Sequence, residues 1–263
     1  MTMTDEERCV SNAFSSAAAT YSEYATPQRF WGDHLCQSLS GLLFSPSRIL
    51  DLGCGDGSFT KRVSALFPGA SILGIDSSMA MLEKARSLGI SNATFDYGSF
   101  MGDIEFSNYD LIVSNASLQW ASSFGELLSK MTAGLSSESA IIISVFTKES
   151  FVQLRSALDS VFDSEVPLAV DGFLSKKESV EKVSSFVELN YEFKELSYTE
   201  VFDSASDLLS SLKLTGVTGV GGSNGLWTPR RLNALDRELA AQGYALTYEG
   251  LLISISSKGV LDV

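Results

Sequence analysis

Two aspartates stand where an apolar run gives way to a turn. Asp51 lies inside Ile49-Leu-Asp-Leu-Gly-Cys-Gly-Asp-Gly57, and Asp76 closes the next run, Ile72-Leu-Gly-Ile-Asp76. Gly53, Gly55 and Gly57 remove side chains where a ligand must approach backbone N–H groups, and the helix start that follows adds partial positive charge. A dinucleotide fingerprint needs its third glycine at position 58, which here is Ser58; the third glycine comes one residue early. A carboxylate before the loop repels a pyrophosphate but suits a cationic amino group, which disfavours a nicotinamide dehydrogenase. An acid at a second strand end is placed to accept two ribose hydroxyls. The pair fits an adenosine ligand with an aminocarboxylate arm, as in S-adenosylmethionine. The plain structural reading is a glycine turn with a capping aspartate; the nine-residue block combined with Asp76 favours binding.

These groups need a frame. Strands are expected at Arg48–Leu52, Ser71–Ile75, Ala93–Tyr97, Tyr109–Ser114 and Ala140–Phe146, with helices between them at Ser58–Phe67, from Ser77 or Ser78 to Leu88, and at Phe124–Leu135. This β-α alternation implies an α/β fold with a doubly wound, mostly parallel sheet of the Rossmann-like type. Before it, Val10, Phe14, Ala17, Tyr21 and Tyr24 recur at helical spacing, and Pro27 opens a second helix reaching about Phe44. After it come helices at Phe151–Phe162 and Lys176–Phe186, a strand at Tyr191–Phe202 and a helix at Ser204–Leu214. A glycine-rich loop follows at Gly216–Gly225, then a helix from Thr228-Pro229 to Gln242 and a last strand, Tyr244–Ser256. Residues 1–46 are expected to form an N-terminal helical lid on a domain of residues 47–263, with residues 147–188 a helical insert and further lid.

Composition excludes several classes. The 263 residues carry a formal net charge of −13, which argues against nucleic-acid binding. No run of about eighteen apolar residues exists to span a membrane, and the acidic start Met1-Thr-Met-Thr-Asp-Glu-Glu7 is not a signal peptide. Cys9, Cys36 and Cys54 are too few and too irregular for a disulfide framework or a zinc site, so a cytoplasmic protein with reduced thiols is expected. His34 is the only histidine, which leaves no His-based metal site and no Ser-His-Asp triad. No metal is expected.

With the glycine block, Gly74-Ile-Asp-Ser-Ser-Met-Ala-Met-Leu-Glu-Lys-Ala-Arg86 and Tyr109–Asn115 in view, most of the chain resembles the class I S-adenosylmethionine-dependent methyltransferases. Within them it is similar to the malonyl-[acyl-carrier protein] O-methyltransferases. Three stretches carry that likeness: Ala13-Phe-Ser-Ser-Ala-Ala-Ala-Thr-Tyr21 with Gln28-Arg29; Ser114-Asn-Ala-Ser-Leu-Gln-Trp120; and Leu212-Lys-Leu-Thr-Gly-Val217 with Leu246-Thr-Tyr248. The middle one also recurs in trans-aconitate-type methyltransferases. The resemblance implies a seven-stranded sheet and methyl transfer from S-adenosylmethionine to the malonyl carboxylate, leaving S-adenosylhomocysteine. The acyl partner is malonyl-acyl-carrier protein or malonyl-CoA, early in biotin synthesis. Another small-molecule carboxyl methyltransferase, or a non-catalytic donor-binding module, are the alternatives. An ionised carboxylate needs no general base.

The donor site so implied comprises Asp51, Gly53, Cys54, Gly55, Asp76, Ser77, Met81, Gly98, Ser99 and Asn115. One departure is visible: many members carry an aspartate just after strand 3 that contacts the adenine amino group. Here Phe95-Asp-Tyr-Gly-Ser-Phe100 displaces Asp96 and puts Gly98 or Ser99 in its place, so the group that reads the amine is left open. Tyr21 either closes over the donor and orients the acceptor or simply belongs to the apolar stripe. Gln119 and Trp120 follow strand 4, at the edge where α/β ligands bind, and are assigned to substrate. An acidic enzyme for an acidic carrier protein needs a local basic patch; Arg155, Lys176, Lys177, Lys182, Arg230 and Arg231 are the cations available, with Arg230 and Arg231 assigned to substrate docking.

Overall fold

The computed structural model describes residues 4–163, 166–217 and 228–257. Strands β1 (Arg48–Leu52), β2 (Ser71–Asp76), β3 (Ala93–Tyr97), β4 (Leu111–Asn115), β5 (Ala140–Phe146), β6 (Leu189–Val201) and β7 (Ala245–Ser257) form one sheet in the order β3-β2-β1-β4-β5-β7-β6. β1 to β5 run parallel, and β7 is antiparallel to both β5 and β6. The helices in chain order are α1 (Asp5–Ala17), α2 (Tyr21–Tyr24), α3 (Thr26–Ser40), α4 (Ser58–Leu66), α5 (Met79–Ser87), α6 (Phe124–Ala133), α7 (Val152–Val161), α8 (Lys176–Ser184), α9 (Ala205–Leu214) and α10 (Pro229–Ala241). Most of the expected Gly216–Gly225 loop lies outside the described residues.

Adjacent residues in the strands serve opposite faces. Ile49 and Ile142 join Trp31, Leu158 and Leu252 in one core cluster, while Leu50 and Ile141 join Leu128, Met131 and Ile253 in the other. A sheet with helices on both faces therefore needs continuous apolar runs rather than alternation. Each fully buried Leu or Ile contributes about 1.5–3 kcal/mol of transfer free energy.

The parallel order sets the site. β1 lies between β2 and β4, with Asp51 beside Gly74 on one side and Val113 on the other. The chain reverses its direction of build-up between β1 and β4, and crevices for ligands open beyond the carboxyl ends of strands at such a point. α1 and α3 lie over that end. α3 opens with Pro27 in its first turn, and buries Trp31 edge-on against Phe146 of β5 at 4.8 Å. Lys176, at the start of α8, reaches both Glu195 of β6 and Glu249 of β7, at 2.9 and 2.7 Å, and fastens the helical insert to the sheet edge.

The N-terminal helices differ from expectation: the one opened by Pro27 ends at Ser40, before Gly41, rather than near Phe44. The stripe Val10 to Tyr24 is not a single helix: α1 ends at Ala17, and α2 restarts at Tyr21. Thr20 explains the break, because its hydroxyl binds the carbonyls of Ala17 and of Leu214 in α9, both at 3.2 Å. The linker is held again by Lys84, which donates to the Ala19 carbonyl at 3.0 Å.

Candidate active site

Asp51 is buried, because β1 is covered on both edges and both faces. Thr60 of α4 donates to its Oδ2 at 2.6 Å. Its Oδ1 is buried and has no partner among the described residues. Burial pushes the carboxyl up to about 7; the Thr60 hydrogen bond opposes that rise, and the charge of Asp76 adds to it. A buried acceptor without a donor costs free energy unless a ligand supplies one.

The glycine turn is bound down from behind. Gly53 and Cys54 donate their N–H groups to the Ile75 carbonyl at 2.8 and 3.1 Å. Gly53 has φ +69°, and a Cβ there would collide with Ser117 Oγ, so only glycine lets the turn approach the loop after β4. Gly55 has φ +54° and open space where a Cβ would stand. The Cys54 side chain is buried under the turn, and burial holds its thiol well above the ordinary range, so it is packed rather than reactive.

Asp76 ends β2 with both oxygens engaged: Oδ2 accepts from Gly55 N–H at 2.9 Å, and Oδ1 from Ser78 N–H at 2.8 Å. Burial raises its pKa, and backbone N–H groups of Ser78, Gly55 and Ser77 oppose the rise. Ser78 in turn caps α5 through Met81 N–H at 3.3 Å. One acid thus ties the glycine turn to the start of α5.

Two cavities meet here. The first is bounded by Asp76, Ser77, Met81, Ser99 and Phe100, and from α1 by Glu7, Val10 and Phe14. The second, the roomier of the two, is bounded by Asp51, Cys54, Asp56, Gln28, Arg29 and Arg62. Tyr21, Gly53, Gly55 and Asn115 line both. The Tyr21 phenol is half-buried, and burial together with Asp56 and Asp76 raises its pKa, so it stays protonated. Asn115 is itself committed: its amide N–H donates to the Gln28 carbonyl at 2.9 Å, and its Oδ1 accepts from Ser144 at 3.0 Å. It orders the wall between α3 and β4.

A third, narrow cleft shares Phe14, Ala116 and Trp120 with the first and Gln28 with the second. Gln119, Phe173 and Tyr248 are among its other walls. Gln28 is buried, and the amide oxygens of Gln28 and Gln119 both lack a partner among the described residues. Rings run across it: Tyr21 on Phe14 at 6.2 Å, Phe14 on Trp120 at 5.8 Å, and Trp120 on Phe173 at 4.8 Å, all edge-on.

Of the residues expected to bind, Tyr21, Asp51, Gly53, Cys54, Gly55, Asp76, Ser77, Met81, Ser99, Asn115, Gln119 and Trp120 come together around these cavities. Gly98 stands apart from the linings; its N–H donates to the Asp76 carbonyl at 3.0 Å and shapes the turn after β3. Arg230 and Arg231 also lie away from the three cavities. Arg231 sits 5.1 Å from the Phe162 ring and 4.0 Å from Asp163. Arg155, Lys176 and Lys177 likewise face Asp171, Glu195 with Glu249, and Glu181. The expected basic patch is therefore largely neutralised by local carboxylates. The residues that sequence reading left without a role are Glu7, Phe14, Gln28 and Arg29. The family-like stretch holding Phe14, Gln28 and Arg29 hinted at a role for those three; nothing did so for Glu7.

The residues present fit an adenosyl amino acid: an acid at the first cavity in Asp76, an unpaired buried acceptor at Asp51, and a turn without bulky side chains between them. Among the described residues no group of three or more His, Cys, Asp or Glu is placed to hold a metal ion, and no helix is long and apolar enough to cross a membrane.

Comparison with known proteins agrees with this architecture. Residues 43–197 match a family model described as a methyltransferase domain. A malonyl-[acyl-carrier protein] O-methyltransferase of Bacillus cytotoxicus is 27% identical over 94% of this chain and 90% of its own length. One of Priestia megaterium is 34% identical over 54% of this chain and 53% of its own. Among solved structures, the YcgJ protein of Bacillus subtilis aligns with a TM-score of 0.59 at 16% identity, covering 86% of this chain and all of its own. The plantazolicin methyltransferase BpumL, solved with S-adenosylhomocysteine, aligns at 0.57 with 20% identity over 94% of each chain. At those identities the structures establish the fold.

Proposed function

This chain belongs to the methyltransferase-domain family, and from that premise we propose that it transfers a methyl group from S-adenosylmethionine to the free carboxylate of malonyl-[acyl-carrier protein]. The observation that carries the substrate is the near full-length likeness to a bacterial malonyl-[acyl-carrier protein] O-methyltransferase. Such a step belongs early in biotin synthesis, where esterification hides a charge and lets the malonyl group pass as an acyl starter. The three free thiols, Cys9, Cys36 and Cys54, suit the reducing cytoplasm.

S-adenosylmethionine, when bound, supplies a methyl group on a sulfonium centre. Asp76 accepts from the ribose hydroxyls, while Met81 and Ser99 hold the base. Asp51 and the Gly53–Gly55 turn take the amino acid end in the second cavity, where Arg29 offers a cation to its carboxylate. Tyr21 stands at the junction, where its phenol orients the acceptor. The malonyl group approaches the same junction from the side walled by Gln119 and Trp120. No residue need accept a proton, because a malonyl carboxylate is ionised at neutral pH.

Donor and acceptor charges cancel in this reaction, so excluding water favours it, and alignment supplies much of the rest. The aromatic rings of Tyr21, Phe14, Trp120 and Phe173 serve that exclusion. Residues 1–46 act as a lid over the domain of residues 47–263, and the insert at 147–188 completes the acceptor side. Arg230, exposed at the start of α10, and Arg231 guide the acidic carrier protein.

The test is competition among acceptors. Methyl-labelled S-adenosylmethionine is offered with malonyl-carrier protein, malonyl-CoA, free malonate and trans-aconitate. Highest kcat/KM for the carrier protein supports the reading; preference for a free dicarboxylate moves it to a small-molecule carboxyl methyltransferase, and binding without transfer to a non-catalytic module.

A further inference from the structure

We propose that Glu7, in the first turn of α1, supplies the carboxylate that accepts the amino group of the adenine ring. This rests on the reading of the first cavity as the adenosyl site. The usual aspartate after β3 has no equivalent here: Asp96 and Asp103 are both exposed, and Ser99 stands at the cavity with its hydroxyl already accepting from Met101 N–H at 3.1 Å. Among the residues bounding that cavity, Glu7 brings a second carboxylate besides Asp76.

The Glu7 carboxylate is divided in the same way as that of Asp51. Its Oε2 accepts from Thr4 N–H at 2.8 Å, and Thr4 Oγ1 accepts from Glu7 N–H at 3.2 Å, which closes a capping box at the start of α1. The box fixes the side chain. The other oxygen, Oε1, is buried and has no hydrogen-bond partner among the described residues. A carboxylate oxygen held rigidly at a cavity wall without a donor awaits one from a ligand. An exocyclic amine is such a donor, and a ring carbonyl in the same place would face it with repulsion. The helix that carries Glu7 is seated on the donor-binding side by two further hydrogen bonds: Ser11 Oγ to the Ser77 carbonyl at 2.6 Å, and Ser15 Oγ with Ser78 Oγ at 2.8 Å. Base recognition and seating of the N-terminal helix are then one event.

The experiment is calorimetric binding of S-adenosylhomocysteine and of S-inosylhomocysteine, whose ring carries a carbonyl where adenine has its amine, to the full chain. The wild type should prefer the adenosyl compound by about 10- to 100-fold, as expected for a charge-assisted hydrogen bond. Glu7→Gln, whose amide can still close the box and can face either ring, should bring the two affinities within about threefold. Thr4→Ala, which removes the hydroxyl half of the box but leaves the backbone N–H that holds the Glu7 carboxylate, should keep the preference. An unchanged ratio in Glu7→Gln overturns the assignment alone. Failure of the wild type to bind either compound overturns the adenosyl site and the assignment with it.

Discussion

Thr60 Oγ donates to Asp51 Oδ2 at 2.6 Å, and the opposite oxygen of the same carboxylate is buried without a partner. Burial lifts this acid to about 7, above an unfolded value near 3.9. The folded chain therefore holds the proton more tightly than the unfolded chain. The stability that neutral Asp51 contributes is present in full below about pH 4 and is lost as pH rises through about 7. Asp51→Asn should remove that fall and melt higher than the wild type at about pH 8, by on the order of 1–3 kcal/mol. Thermal melts across pH check it, and parallel pH profiles for both proteins would contradict it.

An amino cation in the second cavity favours the charged form of Asp51. Binding of S-adenosylhomocysteine should therefore release protons near pH 6.5 and tighten about ten- to thirtyfold between about pH 5.5 and 7.5. Calorimetry in buffers of different ionisation heat reads the release. Asp51→Asn should show none, and the wild-type proton count in that variant would sink this placement of the amino group.

Asp76 holds Gly55 and Ser78 as well as facing the cavity. Asp76→Ala should weaken S-adenosylhomocysteine binding by about 1–3 kcal/mol, through loss of charge-assisted hydrogen bonds to the ribose. Asp76→Asn should fall between that variant and the wild type. Wild-type affinity in Asp76→Ala would refute the ribose assignment.

The N-terminal segment, proposed as a lid, is interrupted between Ala17 and Tyr21. Deleting residues 1–24 should cost turnover far more than it costs global stability. Tyr21→Phe should lower kcat if the phenol orients the acceptor, with little change in donor affinity. Hydrogen exchange over Val10–Tyr24 should slow when S-adenosylhomocysteine binds. Equal protection with and without ligand would leave this segment as a fixed layer of the core.

Much of the frame and the donor end was legible in the sequence, and the reasons are local. β1 and β5 fall at their expected residues because each is an apolar run bounded by polar or turn-forming residues, and Asp51, Gly53, Gly55 and Asp76 follow from their place at strand ends. What stayed hidden depends on distant partners. Nothing local marks the break after Ala17; the Leu214 carbonyl, far along the chain, captures Thr20. Gln28 reads as an ordinary polar residue behind Pro27 until α3 is laid over β4 and buries it. Glu7 reads only as one of three successive acids, and neither its capping box nor the cavity beside it is marked. The cations of the insert could be counted, whereas the carboxylates that match them, such as Glu249 for Lys176, belong to other elements.

Arg230, exposed at the start of α10, and its neighbour Arg231 are the cations proposed to dock the carrier protein. Replacing Arg230 and Arg231 together by Glu should raise KM for malonyl-carrier protein several-fold and steepen no donor parameter, with association in the wild type weakening as salt is added. Unchanged KM in the double variant would move the docking surface elsewhere.

The most direct measurement is the mass of intact malonyl-carrier protein after incubation with the enzyme and S-adenosylmethionine. The expected result is the gain of one methyl group on the malonyl moiety, with one S-adenosylhomocysteine formed per ester. A carrier protein of unchanged mass, beside an enzyme that binds the donor, would contradict the account.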